Sequence, residues 1–108
     1  MAFRVMLRME VKPGSEDDFV AEWRRGTDAV TGHPANLGQW LSRDTAVPGT
    51  YWIVSDWLDE PRFRAFEESA AHLEHRAKLH PYRSGGSFHT MEIVEHIGGR
   101  AGASADAH

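Results

Sequence analysis

Along the first dozen residues, apolar and charged side chains take turns. Phe3, Val5, Leu7, Met9 and Val11 share one parity; Arg4, Arg8, Glu10 and Lys12, with Met6, share the other. A period of two predicts a strand with one buried face. Pro13-Gly14 supplies turn chemistry after it. Ser15 followed by Asp18 reads as a capping box, and Glu16, Asp17 and Asp18 suit the positive end of a helix. Phe19, Val20, Trp23, Thr27 and Val30 give that helix an apolar stripe, which makes Trp23 core. Gly32, at a left-handed C-terminal position, and His33-Pro34 stop it.

The pattern predicts a second strand over 37–43 and a third over 51–57. Pro48-Gly49 between them suits a type II turn, so the two form a hairpin. Asp59-Glu60-Pro61 starts a second helix with proline in its first turn. Phe63, Phe66, Ala70, Leu73 and Ala77 line that helix's inner face, and Pro81 ends it. Ser84-Gly85-Gly86 reads as a loop and 88–97 as the fourth strand. The Gly/Ala-rich stretch 98–108 is expected to be a disordered tail behind one domain over 1–97. The fold class is α+β, with the ferredoxin-like order β-α-β-β-α-β. Two helices cover one face of such a sheet and leave the other bare. That face holds Trp40 or Gln39 and Trp52 or Trp57, depending on register, which is too aromatic for water. A homodimer with sheets face to face would cover it.

Composition narrows the class. The chain has 108 residues and a net charge of −4, with charges of both signs making up 26%. That suits one globular domain without the basic footprint of a nucleic-acid binder. There is no cysteine, which excludes a disulfide scaffold, a thiolate metal site and a cysteine nucleophile. No apolar run is long enough to span a bilayer, and Met1-Ala2-Phe3-Arg4 opens no signal peptide. A cytoplasmic protein is expected, with neither nucleic acid nor membrane as partner.

Specific residues now meet this order of elements. Thr50-Tyr-Trp-Ile-Val-Ser-Asp-Trp57, Asp59-Glu60-Pro61, Phe63 and the stretch from His72 to Pro81 resemble the antibiotic biosynthesis monooxygenase (ABM) superfamily. The resemblance covers residues 3–97. It implies a dimeric α+β barrel with a tryptophan closing the third strand. His33-Pro-Ala-Asn-Leu-Gly-Gln-Trp40 and His72-Leu-Glu-His-Arg-Ala-Lys-Leu-His-Pro-Tyr-Arg83 are similar to the small tetracenomycin-type oxygenases of aromatic polyketide and spore-pigment pathways. That similarity implies oxidation of an anthrone or naphthacenone to a quinone, with O₂ as co-substrate and no metal or other cofactor. Two branches of the superfamily fit less well. Haem-degrading relatives carry an Asn on the first strand, where this chain has Leu7, and a Trp and a His on the second helix, which fall at Phe66 and near His75-Arg76. Actinorhodin-type relatives carry an Asn where this chain has Ile53, so only Trp57 transfers from them.

Oxygenation without a cofactor needs a base near neutral pKa, donors for a substrate anion and an apolar slot. Histidine is the side chain whose ordinary pKa fits. His72 and His75, three apart on one helix, are the candidate catalytic pair with Trp57, and His80 lies near that helix's end. A solvated helix face is the competing reading of the histidines. Chelation by His72-x-x-His75 is a third, without an evident third ligand. Of His89 and His96, only one can face the interior. Trp40 and Phe66 are candidate walls for a planar aromatic polyketide, with Trp packing as the alternative. Asn36, Gln39 and His33 are candidate hydrogen-bonding contacts, although Asn36 and Gln39 could instead cap a turn. Arg83 could hold a phenolate or form a surface ion pair, and Arg4, Arg8 and Glu10 are expected in ion pairs across the dimer. The rival functions are a cyclase working by acid–base chemistry alone and a non-catalytic dimer that holds a polyketide.

Overall fold

The computed structural model describes residues 1–102. Strands β1 (Phe3–Val11), β2 (Asn36–Arg43), β3 (Thr50–Trp57) and β4 (Arg83–Glu92) form one antiparallel sheet in the order β2-β3-β1-β4. This is the α+β ferredoxin-like arrangement that the pattern predicts. Register decides which side chains go inside. Phe3 pairs with Trp57, Val5 with Ser55 and Leu7 with Ile53. The odd-numbered residues of β1 and β3 therefore share the face beneath the helices. Trp40, Val54, Met6 and His89 line up on the other. The core falls into two groups, one around Phe3, Trp57, Phe63 and Phe66, the other around Met9, Phe19, Tyr51 and Leu79.

Each predicted long helix is two helices. The first divides into α1 (Glu16–Arg25) and α2 (Asp28–Thr31) at Gly26-Thr27, and the second into α3 (Glu60–Glu67) and α4 (Ala70–Leu79) at Glu68-Ser69. Asp59 caps α3, accepting a hydrogen bond from the Arg62 N–H at 2.9 Å, with Pro61 in the first turn. Ser69 caps α4 afresh, its Oγ accepting from the His72 N–H at 3.2 Å. That second cap resets the helical phase. Ala70, Leu73 and Ala77 face solvent, and α4 buries His75 and Leu79 instead. Ser15 makes no side-chain cap; the acidic first turn and basic last turn still complement the dipole of α1. Gly32 sits in the right-handed region, whereas Gly49 has φ +78° at the hairpin turn, where the Thr50 N–H reaches the Val47 carbonyl.

The fourth strand begins and ends earlier than its apolar pattern suggests. Gly85 and Gly86 are in the sheet, paired with Glu10 and Met9. Gly86 is required there, because a Cβ would collide with the Arg8 carbonyl. The strand stops at Glu92 because that residue pairs with Phe3, where β1 begins. Residues 93–99, His96 among them, have no regular structure, and residues 103–108 of the expected disordered tail lie outside the described residues. Arg4 holds Asp56 through two hydrogen bonds of 2.8 and 2.9 Å, and Arg8 reaches Glu10 at 2.8 Å. Both pairs form within one chain. Among the described residues, no helix is long and apolar enough to cross a membrane.

Candidate active site

Between the sheet and the helices lies a cavity of about 350 Å³ that takes walls from both core groups. The size falls within the range of small-molecule sites. Trp57 closes its inner end with no exposed surface, fixed by a 3.0 Å hydrogen bond from its Nε1 to the Ser55 Oγ. The Trp57 ring lies 4.7 Å from Phe66 and 5.4 Å from Phe63, centroid to centroid. Leu7, Met9 and Ile53 form the sheet-side floor, while His72 and His75 come from α4.

His72 packs its ring 4.9 Å from Phe66, and His75 is 9% exposed. Among the described residues, neither Nδ1 has a hydrogen-bond partner. Burial pushes both imidazoles below their ordinary pKa of 6.5. Glu67 opposes this at His72 and Glu22 at His75, while Arg76 reinforces it at His72 and Lys78 at His75. Burial therefore favours the uncharged form of both rings.

The cavity brings together His72, His75, Trp57, Phe66, Gln39 and Arg83. Gln39 donates to the Thr27 hydroxyl, and the Arg83 Nε donates to the Gly85 carbonyl at 3.1 Å. Three other residues expected at the site do not reach it. Trp40, paired with Val54, points to the opposite face and is 50% exposed. Asn36 donates to the backbone carbonyls of Asp56 and Gly38, where the β2 register shifts. His33 stands behind the wall, its ring 5.6 Å from Trp57 and its Nδ1 accepting the Ala35 N–H at 3.1 Å. His89 lies on the open face beside Ser87.

Several lining residues went unpredicted. Trp23 is half-buried, packing against the second core group as expected while also forming part of the cavity wall. Phe63 shares a helix face with Phe66, and Phe88 pairs with Leu7, so helical spacing and strand register could have found both. Glu67 ends α3 one residue beyond Phe66, and Arg76 follows from the α4 phase, which only the cap at Ser69 reveals. Among the described residues, no group of three His, Asp or Glu is placed to hold a metal ion.

A sheet of this order, roofed by helices over an aromatic cavity with two imidazoles, defines a class, and sequence comparison agrees. Residues 2–78 match the family model "Antibiotic biosynthesis monooxygenase", and the chain belongs to that family. SchA of Streptomyces halstedii is 31% identical over 107 residues, which cover 96% of this chain; the chain spans only 28% of SchA's length. A haem oxygenase (mycobilin-producing) of Mycobacterium tuberculosis is 30% identical over 94 residues, 84% of this chain and 88% of that one. Among solved structures, a mutant of SnoaB, a cofactor-independent oxygenase from Streptomyces nogalater, superposes with a TM-score of 0.80. Its identity is 17%, with 89% of this chain and 96% of that one covered. A putative antibiotic biosynthesis monooxygenase from Bordetella bronchiseptica gives 0.79 at 23% identity, covering 87% and 98%.

Proposed function

We propose that this chain is a cofactor-independent monooxygenase, working as a homodimer in the cytoplasm, that oxidises a polycyclic aromatic polyketide to its quinone with O₂. The substrate is an anthrone or naphthacenone. The observation that carries this reading is an apolar cavity in which indole and phenyl walls meet two imidazoles whose Nδ1 atoms are buried without hydrogen-bond partners among the described residues. The likeness in fold to SnoaB, a cofactor-independent oxygenase, supports it.

The chemistry follows from the substrate's doubly benzylic CH₂. His72 or His75 takes one proton, leaving an electron-rich anion that the donors of Arg83 and Gln39 stabilise. The anion passes one electron to O₂, and the radical pair combines to form a C–O bond. The imidazolium returns its proton to the peroxide oxygen. Loss of the second C–H proton with cleavage of the O–O bond leaves the carbonyl, and the departing hydroxide collects that proton as water. One O₂ enters, one quinone and one water leave, and no outside electron is needed. Trp57 and Phe66 hold the ring system flat.

The bare sheet face supports the dimer. Trp40, Trp52, Val54, Met6 and Met91 make it apolar, and Arg4 and Arg8 are already neutralised by Asp56 and Glu10. Stacking two such faces would bury no unpaired arginine from this group. Oxygen uptake with a hydroxyanthrone tests the enzyme reading, with one O₂ consumed per quinone as the expected result. An equal rate of substrate conversion without oxygen would replace it with acid–base cyclase chemistry.

The haem oxygenase among the relatives favours a second reading, haem degradation. The cavity suits it poorly. It lies at the small end of ligand sites, and Leu7 presents an aliphatic chain where haem-degrading relatives carry an amide. Haem titration should leave the Soret band of free haem unshifted.

A further inference from the structure

His75 stands between two hollows. One is the cavity closed by Trp57; the other is a groove of about 290 Å³ between α1 and α4, bordered by Glu22, Gly26, Glu74 and Lys78. Among the described residues, His75 alone lines both. Its ring fills the gap because the facing chain offers no side chain there. The Nδ1–Cε1 edge rests against Gly26, where α1 ends, and a Cβ on that glycine would overlap it. The Nδ1 is buried without a hydrogen-bond partner among the described residues. Packing, not polar pairing, therefore holds that edge of the ring in place.

We propose that His75 is the partition that sets the length of fused-ring ligand the cavity accepts, seated on the bare backbone of Gly26. The inference rests on the cavity being the polyketide site. With the imidazole in place, a planar ligand in the cavity cannot extend past His75 into the groove. With it removed, the inner cavity runs into the groove, because a truncated buried side chain leaves a space that its surroundings only partly close. The added length is polar-walled, with Glu22 and Arg25 on one side and Glu74 and Lys78 on the other. It would admit an extra hydroxylated ring in preference to an alkyl chain.

Binding rather than turnover tests this, since His75 is also a candidate base. A three-ring hydroxyanthraquinone and a linear five-ring hydroxyquinone are titrated into the full chain, with quenching of indole fluorescence from Trp23 and Trp57 as the readout. The native protein should favour the three-ring ligand. His75→Ala should gain at least ~10-fold in affinity for the five-ring ligand while its three-ring affinity changes far less. His75→Phe, which keeps the bulk, should discriminate as the native chain does. Unchanged discrimination in His75→Ala overturns the proposal. If neither quinone quenches the native protein, the polyketide reading falls, and a crystal structure of His75→Ala decides the partition. One continuous hollow from Trp57 to Glu74 upholds it, and a gap closed by movement of α1 or α4 overturns it.

Discussion

The two faces of the sheet carry the same kinds of side chain to different ends. Trp57 and Trp52 lie on one strand with opposite parity. Trp57 is sealed under the helices with its N–H on Ser55, whereas Trp52 lies on the bare face with its N–H on Asp44 at 3.2 Å. The histidines divide likewise: His72 and His75 are roofed and burial lowers their pKa, and His89 is exposed beside a serine. Residue type alone does not make an active site. Burial on a particular face makes an indole part of a cavity wall and lowers the pKa of an imidazole.

The largest expected break in that comparison is Trp57→Ala. A fully buried tryptophan touching Phe63 and Phe66 should cost about 3–5 kcal/mol of stability, read by urea denaturation. Trp57→Phe should retain the fold and weaken ligand binding. A loss under about 1 kcal/mol for the alanine variant would mean that the inner face is not the core.

Next comes the chemistry of the roofed histidines. His72→Ala, or His75→Ala, should lower kcat about 10²-fold if the deleted ring is the base, with oxygen uptake as the measure. Their pH dependence has a definite sign. Both pKa values are depressed on folding, so the unfolded chain binds more protons in this window. Stability is complete above about pH 6.5, the unfolded value, and declines as pH falls below it toward the folded values. A His72→Gln/His75→Gln double variant should flatten that acid decline in thermal melts. The acid limb of kcat/KM should likewise lie below pH 6.5, since the rings remain neutral bases until then.

Strand parity was legible from the first residues onward, because Phe3, Val5, Met9 and Val11 announce a buried face by spacing alone. The order of elements followed from punctuation such as Pro48-Gly49 and Asp59-Glu60-Pro61. The helix breaks did not. Gly26 and Ser69 each sit inside a stripe whose apolar spacing runs on past them, and a local backbone preference outweighed the pattern. The candidate site was therefore half legible. His72, His75, Phe66 and Trp57 were in view, but Trp40 was assigned without the register that turns it away. Asn36 was named for its amide, which the backbone at a register shift consumes. His75's seat on Gly26 needs two helices in space, and no one-dimensional pattern contains it.

The cap at Ser69 allows a smaller test. Its Oγ satisfies the His72 N–H and sets the phase that turns both histidines inward. Ser69→Ala should cost about 1 kcal/mol. If the cap also fixes the phase of α4, the variant should bind a hydroxyanthraquinone more weakly than its stability loss alone explains. Ser69→Asp, which restores an acceptor, should recover both.

The smallest effect on folding belongs to the bare face. Trp40 is half exposed, and its substitution by alanine removes little buried surface from a single chain. The folded chain's circular dichroism should be unchanged, and its intrinsic stability should shift by no more than about 0.5 kcal/mol. The same substitution should act on assembly, because an exposed indole on an otherwise apolar face loses most when a second copy no longer covers it. Sedimentation should show Trp40→Ala dissociating at protein concentrations where the native chain is a dimer, and Trp40→Glu doing so further by placing a charge in the stack. If both variants sediment like the native protein, the bare face is not where two copies meet. The contrast between the faces would then rest on the roofed side alone.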